Sequence, residues 1–239
     1  MAGGVVTSKD LWRTYGEGDA RVDALAGVTV SFDRGKYTSI MGPSGSGKST
    51  LLHCLAGLEA PSSGSVQIDG TEITTLNDRD LTELRREKIG FIFQAFNLLP
   101  VLTAEENIVL PLRIAGRPID GEWLERLINT VDLGDRRTHL PSELSGGQQQ
   151  RVAVARALIT KPAVVFADEP TGNLDSKSSD DVLKLLRHAV DDFGQTVVMV
   201  SHDPDAAAIG DRLIVLRDGK VEHEGEARGA NFAELLSSH

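Results

Sequence analysis

Apolar and polar positions divide the chain into three stretches with different rhythms. In the first, residues 28–32 alternate as a half-buried strand does, and residues 36–41 form an apolar run that leads into a glycine-rich loop. Residues 65–68 form another short strand, and the Asp69-Gly70 pair after it predicts a hairpin turn. Residues 76–88 read as a helix and residues 89–93 as a buried strand. The middle stretch is helical. Thr103-Ala104-Glu105-Glu106 has the form of a capping box, so a helix starts there, and Pro111 is expected to end or kink it. Residues 122–131 and 146–159 are two further amphipathic segments, the second with Val152, Ala155, Leu158 and Ile159 on one stripe.

The last stretch alternates. Apolar strands over 163–167 and 196–201 flank a helix over 176–193, and a hairpin over 213–216 and 220–224 turns at Asp218-Gly219. Strands apolar on both faces and alternating with helices predict a mostly parallel sheet covered on both sides. The fold class is therefore α/β, and ligands of such sheets sit at the carboxyl ends of the strands. No internal repeat or low-complexity segment interrupts the pattern.

Composition narrows the possibilities. At 239 residues the chain can bury a core without covalent staples. Its single cysteine, Cys54, excludes an internal disulfide and lies in an apolar helical run, where it reads as a small buried hydrophobe. A net charge of −10 argues against nucleic acid as the main partner. The one dense basic spot, Arg85, Arg86 and Lys88, is interleaved with Glu83 and Glu87 and reads as a solvated helix face. No apolar run approaches the ~20 residues that span a bilayer, and Met1-Ala2-Gly3-Gly4-Val5 lacks the pattern of a signal peptide. The expectation is a cytoplasmic chain that would borrow a membrane partner for any work on a membrane.

Gly42-Pro43-Ser44-Gly45-Ser46-Gly47-Lys48-Ser49 fits Gly-x4-Gly-Lys-Ser and stands between a strand and a helix, the context a phosphate loop requires. The glycines let successive N–H groups face one point, and the helix start adds about half a positive charge there. Lys48 is placed to reach phosphates and the Ser49 hydroxyl to ligate Mg²⁺. By itself the motif specifies a nucleoside triphosphate and no more. The strand over 163–167 ends in Asp168-Glu169. If it lies beside the phosphate-loop strand, Asp168 can hold Mg²⁺ through water and Glu169 can orient or deprotonate an attacking water. Leu144-Ser145-Gly146-Gly147-Gln148 opens a helix and supplies a second anion site from N–H groups and a hydroxyl. Two phosphate-binding surfaces on one chain suggest a head-to-tail pair, each ATP lying between one copy's loop and the other's Ser-Gly-Gly segment.

That segment makes the chain resemble the ABC ATPase family, whose signature is Leu-Ser-Gly-Gly-Gln, and the resemblance covers essentially the whole length. It implies one nucleotide-binding domain over 1–239: a P-loop NTPase core, an N-terminal antiparallel β subdomain and a helical subdomain over about 97–160. It also implies roles. Tyr15 stacks on adenine, and Thr50 completes the phosphate loop. Gln94 touches Mg²⁺ and the membrane partner. Asn173-Leu174-Asp175 communicates across the dimer, and His202 contacts the γ-phosphate. ATP and Mg²⁺ are the implied ligands. A second ATPase copy and an integral membrane permease are the implied partners, with the chain peripheral on the cytoplasmic face of the membrane.

Phe93-Gln94-Ala95-Phe96-Asn97-Leu98-Leu99-Pro100, Glu106-Asn107-Ile108 and Pro170-Thr171-Gly172-Asn173-Leu174-Asp175-Ser176 are similar to the branch that drives lipoprotein release, macrolide efflux and antimicrobial-peptide resistance. Export or outer-leaflet extraction is then expected, with force transmission without a cargo as the alternative and a soluble ABC ATPase further off. Phe96, Leu98, Leu99, Val101 and Leu102 form an apolar cluster that is either a groove for a permease helix or part of the helical core.

Overall fold

Parity along the strands organises the interior. Val164 and Phe166 point into one apolar cluster and Val165 and Ala167 into another, and the neighbouring strand repeats the split with Val198 and Val200 against Val197 and Met199. A sheet buried on both faces has this signature. The computed structural model describes residues 4–237, so Met1, Ala2 and Gly3 of the N-terminal start read above lie outside the described residues.

In chain order the elements are β1 (Val6–Tyr15), β2 (Val22–Phe32), β3 (Tyr37–Met41), α1 (Lys48–Leu55), β4 (Ser63–Ile68), β5 (Thr71–Glu72), α2 (Asp78–Lys88), β6 (Ile89–Ile92), α3 (Ala104–Ile114), α4 (Gly121–Thr130), α5 (Gly146–Leu158), β7 (Val164–Asp168), α6 (Ser176–Phe193), β8 (Val197–Val200), α7 (Pro204–Ala207), β9 (Arg212–Arg217), β10 (Lys220–Glu226) and α8 (Phe232–Ser237). The central sheet runs β10-β9-β3-β8-β7-β6, parallel except for β10. A second, antiparallel sheet, β2-β1-β4-β5, packs beside it with β2 against β10. Helix α1 packs between the two sheets, touching β1 and β2 on one side and β7 and β8 on the other. Its core includes Leu51, Leu52, Leu55 and the fully buried Cys54, whose thiol burial pushes up to about 12. On the opposite face, α3, α4, α5 and α6 close the second cluster.

Three expectations change. The strand over 89–93 is not a buried one: β6 stands at the sheet edge, with Gly90 and Ile92 buried and Ile89 and Phe91 partly exposed. Of the two outcomes expected at Pro111, ending the helix does not occur: α3 continues to Ile114, with Pro111 in its last turn. The strand bearing Asp168 is not beside the phosphate-loop strand, because β8 lies between β3 and β7. The registers Ile40 with Val200 and Val200 with Asp168 still bring the carboxyl ends of all three strands level.

Candidate nucleotide site

The loop between β3 and α1 holds its shape through positive φ angles at Gly42 (149°), Gly45 (79°) and Gly47 (97°), a region L side chains rarely enter. A Cβ at Gly47 would also strike the Ala24 carbonyl, and one at Gly42 the Leu216 carbonyl. Pro43, Ser44, Gly45 and Ser49 are exposed, Thr50 is half-buried, and Ser46 is buried with its hydroxyl unpartnered among the described residues. Lys48 folds back over the loop, its Nζ donating to the Gly42 (3.0 Å) and Pro43 (2.8 Å) carbonyls. Burial pulls its ammonium below the ordinary lysine value, and the nearby Glu169 and Asp168 carboxylates offset this only in part.

Asp168 meets the loop despite the intervening strand because α1 crosses β8 toward β7. Ser49 Oγ donates to Asp168 Oδ1 at 2.9 Å, and His53 Nε2 lies 3.2 Å from Asp168 Oδ2. The hydrogen bond to Asp168 holds the His53 imidazole above its usual value, against its partial burial. Sequence reading missed His53. Its signal was the spacing of four from Ser49, which puts both side chains on one face of α1.

Among the described residues no group of three or more His, Cys, Asp or Glu converges. A hydroxyl beside one carboxylate is a sparse donor set, and it fits Mg²⁺, which keeps several waters and takes few protein oxygens.

Glu169 has φ 45°, a strained value for a non-glycine residue, held by Glu169 N–H donating to Val200 O (3.0 Å) and Gly172 N–H donating to Glu169 O (3.1 Å). His202 Nδ1 lies 3.2 Å from the Glu169 carboxylate. Both line an open cleft of about 380 Å³ with Thr171, Gly172, Leu174, Ser201 and Asp203. Gln94 is exposed just beyond β6. Asn173 Nδ2 donates to its backbone carbonyl (3.1 Å), and its side-chain Nε2 reaches Asn173 Oδ1 (3.5 Å).

The remaining expected residues stand apart from this centre. Tyr15 is 40% exposed and so is not a core aromatic. Its hydroxyl donates to Glu59 (2.5 Å), which also pairs with Arg13 (2.7 Å), and the Arg13 guanidinium lies 4.6 Å from the Tyr15 ring centre. Ser145 caps α5, accepting from Gln148 N–H (3.3 Å), while Gln148 Oε1 accepts from Ser145 N–H (2.9 Å). Leu144 and Gly147 are buried, and a Cβ at Gly147 would meet Ser178 at 2.7 Å, so this glycine also serves packing. Asp175 caps α6 through Ser178 N–H (3.0 Å) and Oγ (2.7 Å). Among the described residues, no hydrogen bond or ion pair joins the segment Leu144-Ser145-Gly146-Gly147-Gln148 to the phosphate loop of its own chain.

A glycine cradle at the end of a buried parallel strand, with a hydroxyl and a carboxylate converging beside it, defines a P-loop nucleoside triphosphatase. Residues 25–172 match the family described as ABC transporter. An uncharacterised ABC transporter ATP-binding protein of Thermotoga maritima is 47% identical over 227 residues, covering 94% of this chain and 96% of that protein. The macrolide export ATP-binding/permease protein MacB of Bdellovibrio bacteriovorus is 46% identical over 220 residues, covering 92% of this chain but 34% of MacB. This chain thus spans about a third of the MacB relatives it matches. An ATP-binding cassette of Methanocaldococcus jannaschii, solved as a dimeric post-hydrolysis state bound to ADP and Pi, superposes with a TM-score of 0.84 at 44% identity, over 94% of this chain and all of that one. This chain belongs to the ABC transporter family, and it is an ATP-hydrolysing ABC ATPase.

Proposed function

We propose that two copies close head to tail around two MgATP and drive an integral membrane permease, for export or extraction from the outer leaflet. The observation that carries the pairing is the separation within one chain. The phosphate cradle and the Glu169–His202 pair gather at the strand ends, while the helix start at Ser145 makes no bond to them. A second copy supplies that surface. The dimeric cassette of M. jannaschii supports this, and the MacB proteins support the export branch. In this reading the chain sits peripherally on the cytoplasmic face against its permease; among the described residues no helix is long and apolar enough to cross a membrane.

Within each site Tyr15 stacks on the adenine. Successive N–H groups of the loop over 42–50 and the Lys48 ammonium bind the phosphates. Ser49, Asp168 and Gln94 would hold Mg²⁺, which when bound would neutralise phosphate charge. Glu169 orients and accepts a proton from the attacking water, and His202 steadies the Glu169 carboxylate beside the γ-phosphate. Leu144, Ser145, Gly146, Gly147 and Gln148 of the other copy close over the phosphates, and Asp175 transmits across the pair. His53 keeps Asp168 turned toward Ser49.

The test is Glu169→Gln. Phosphate release should fall by about 100-fold or more, while MgATP still binds and a dimer accumulates on a sizing column. Full turnover would remove Glu169 from its role. A chain that stays monomeric in MgATP would remove the shared site.

A further inference from the structure

The signature helix α5 holds both ends of the loop that carries Gln94. Gln150 is fully buried, and its Nε2 donates to the Phe93 carbonyl at 3.3 Å. The same amide donates to the Pro170 carbonyl at 2.6 Å, directly after Glu169. Further along the helix, the Arg156 guanidinium donates to the carbonyls of Phe96 (2.7 Å) and Asn97 (2.6 Å). Phe96 and Asn97 have φ angles of 55° and 51°, so their backbone needs something to hold it in that region.

Gln150 serves two carbonyls outside its own helix. Both of its neighbours are carbonyls, which fixes the amide with nitrogen toward them and leaves Oε1 buried without a partner among the described residues. An apolar side chain of the same length would remove that orphaned oxygen but would leave the Phe93 and Pro170 carbonyls without this donor. Val152, Ala153 and Val154 already bury the helix in the core. The amide links three segments: the signature helix, the Gln94 loop and the turn after Glu169.

We propose that Gln150 and Arg156 are positioning residues that make the Gln94 loop and the Glu169-Pro170 turn travel with α5. Movement of the helix start that closes on the opposite ATP is then delivered to both residues at the chain's own γ-phosphate. The inference rests on the roles given above to Gln94 and Glu169.

Gln150→Met keeps the length and removes both the donor and the orphaned oxygen. The fold should persist with a lowered melting temperature, because the Phe93 and Pro170 carbonyls lose a donor. Amide hydrogen exchange should accelerate over 94–97 and 171–172 and stay unchanged in β3 and β8. Affinity for MgATP should move by less than about threefold, while kcat falls about 10- to 100-fold, the range for a slightly misplaced catalytic group. Arg156→Met, at a partly exposed position, makes the same test at the Asn97 end. Unaltered exchange in both variants overturns the proposal, and so does accelerated exchange with an unchanged kcat. A wild-type chain that does not hydrolyse ATP would fail the proposed function instead, and the exchange result would still decide whether α5 holds the loop.

Discussion

Lys48 spends its donors on two carbonyls of its own loop, Gly42 and Pro43. Those bonds keep the ammonium inside the cradle, where a phosphate can replace the carbonyls as acceptor. Lys48→Ala removes a charged donor worth about 1.5–3 kcal/mol, so ATP affinity should fall about 10- to 100-fold in a calorimetric titration. Asp211 shows a different residue-scale effect. Burial pushes its carboxyl up, but the Tyr37 N–H (2.9 Å) and the Arg187 guanidinium (3.0 Å) outweigh burial and hold it below the usual range. A depressed carboxyl stabilises the fold above its unfolded value, and the gain is lost as pH falls through the folded one. Asp211→Asn should therefore lose stability near pH 7 and lose progressively less as the pH falls below about 3.9, read by urea unfolding across that range. The cradle was legible because glycines, lysine and serine answer to each other within one loop. The contact of His53 with Asp168 was not, since its partner comes from a strand far along the chain.

Helix ends were the most legible elements. Thr103 and Glu106 form the capping box their spacing promised, and α6 runs from an Asp175 cap to Gly194 at φ 65°. Thr103→Ala should cost about 1 kcal/mol and lower the melting temperature by about 2–4 °C in a chain of this size. Strand type was legible and strand order was not. Apolar runs state that β7 is buried on both faces, but which strand lies next to it depends on crossovers that leave no periodic trace. The same gap let β6 read as buried: Ile89 and Phe91 are apolar, yet an edge position leaves them half-covered. Arg85 and Lys88 also do more than solvate α2. They reach the Gly57 carbonyl (3.0 Å) and Asp69 (2.8 Å) while the helix buries no residue.

For the molecule as a whole, the apolar cluster after Gln94 divides in two. Leu98 packs against the core, whereas Leu99 is 45% and Val101 80% exposed. A contact with the permease would use the exposed pair, and an acidic change at Leu98 would instead threaten the fold. Leu99→Asp with Val101→Asp should leave ATP binding by the isolated chain intact and abolish recovery of the permease when the tagged chain is purified from native membranes in MgATP. Undiminished recovery would place the contact elsewhere.

The buried thiol of Cys54 has a practical consequence. A sulfhydryl held near 12 carries almost no thiolate at neutral pH, so maleimide reagents pass it by. The chain has no other cysteine. A cysteine introduced at an exposed position such as Val101 would be the sole attachment point for a dye. Mixed donor- and acceptor-labelled copies would then report their approach and separation as energy transfer, one turnover at a time.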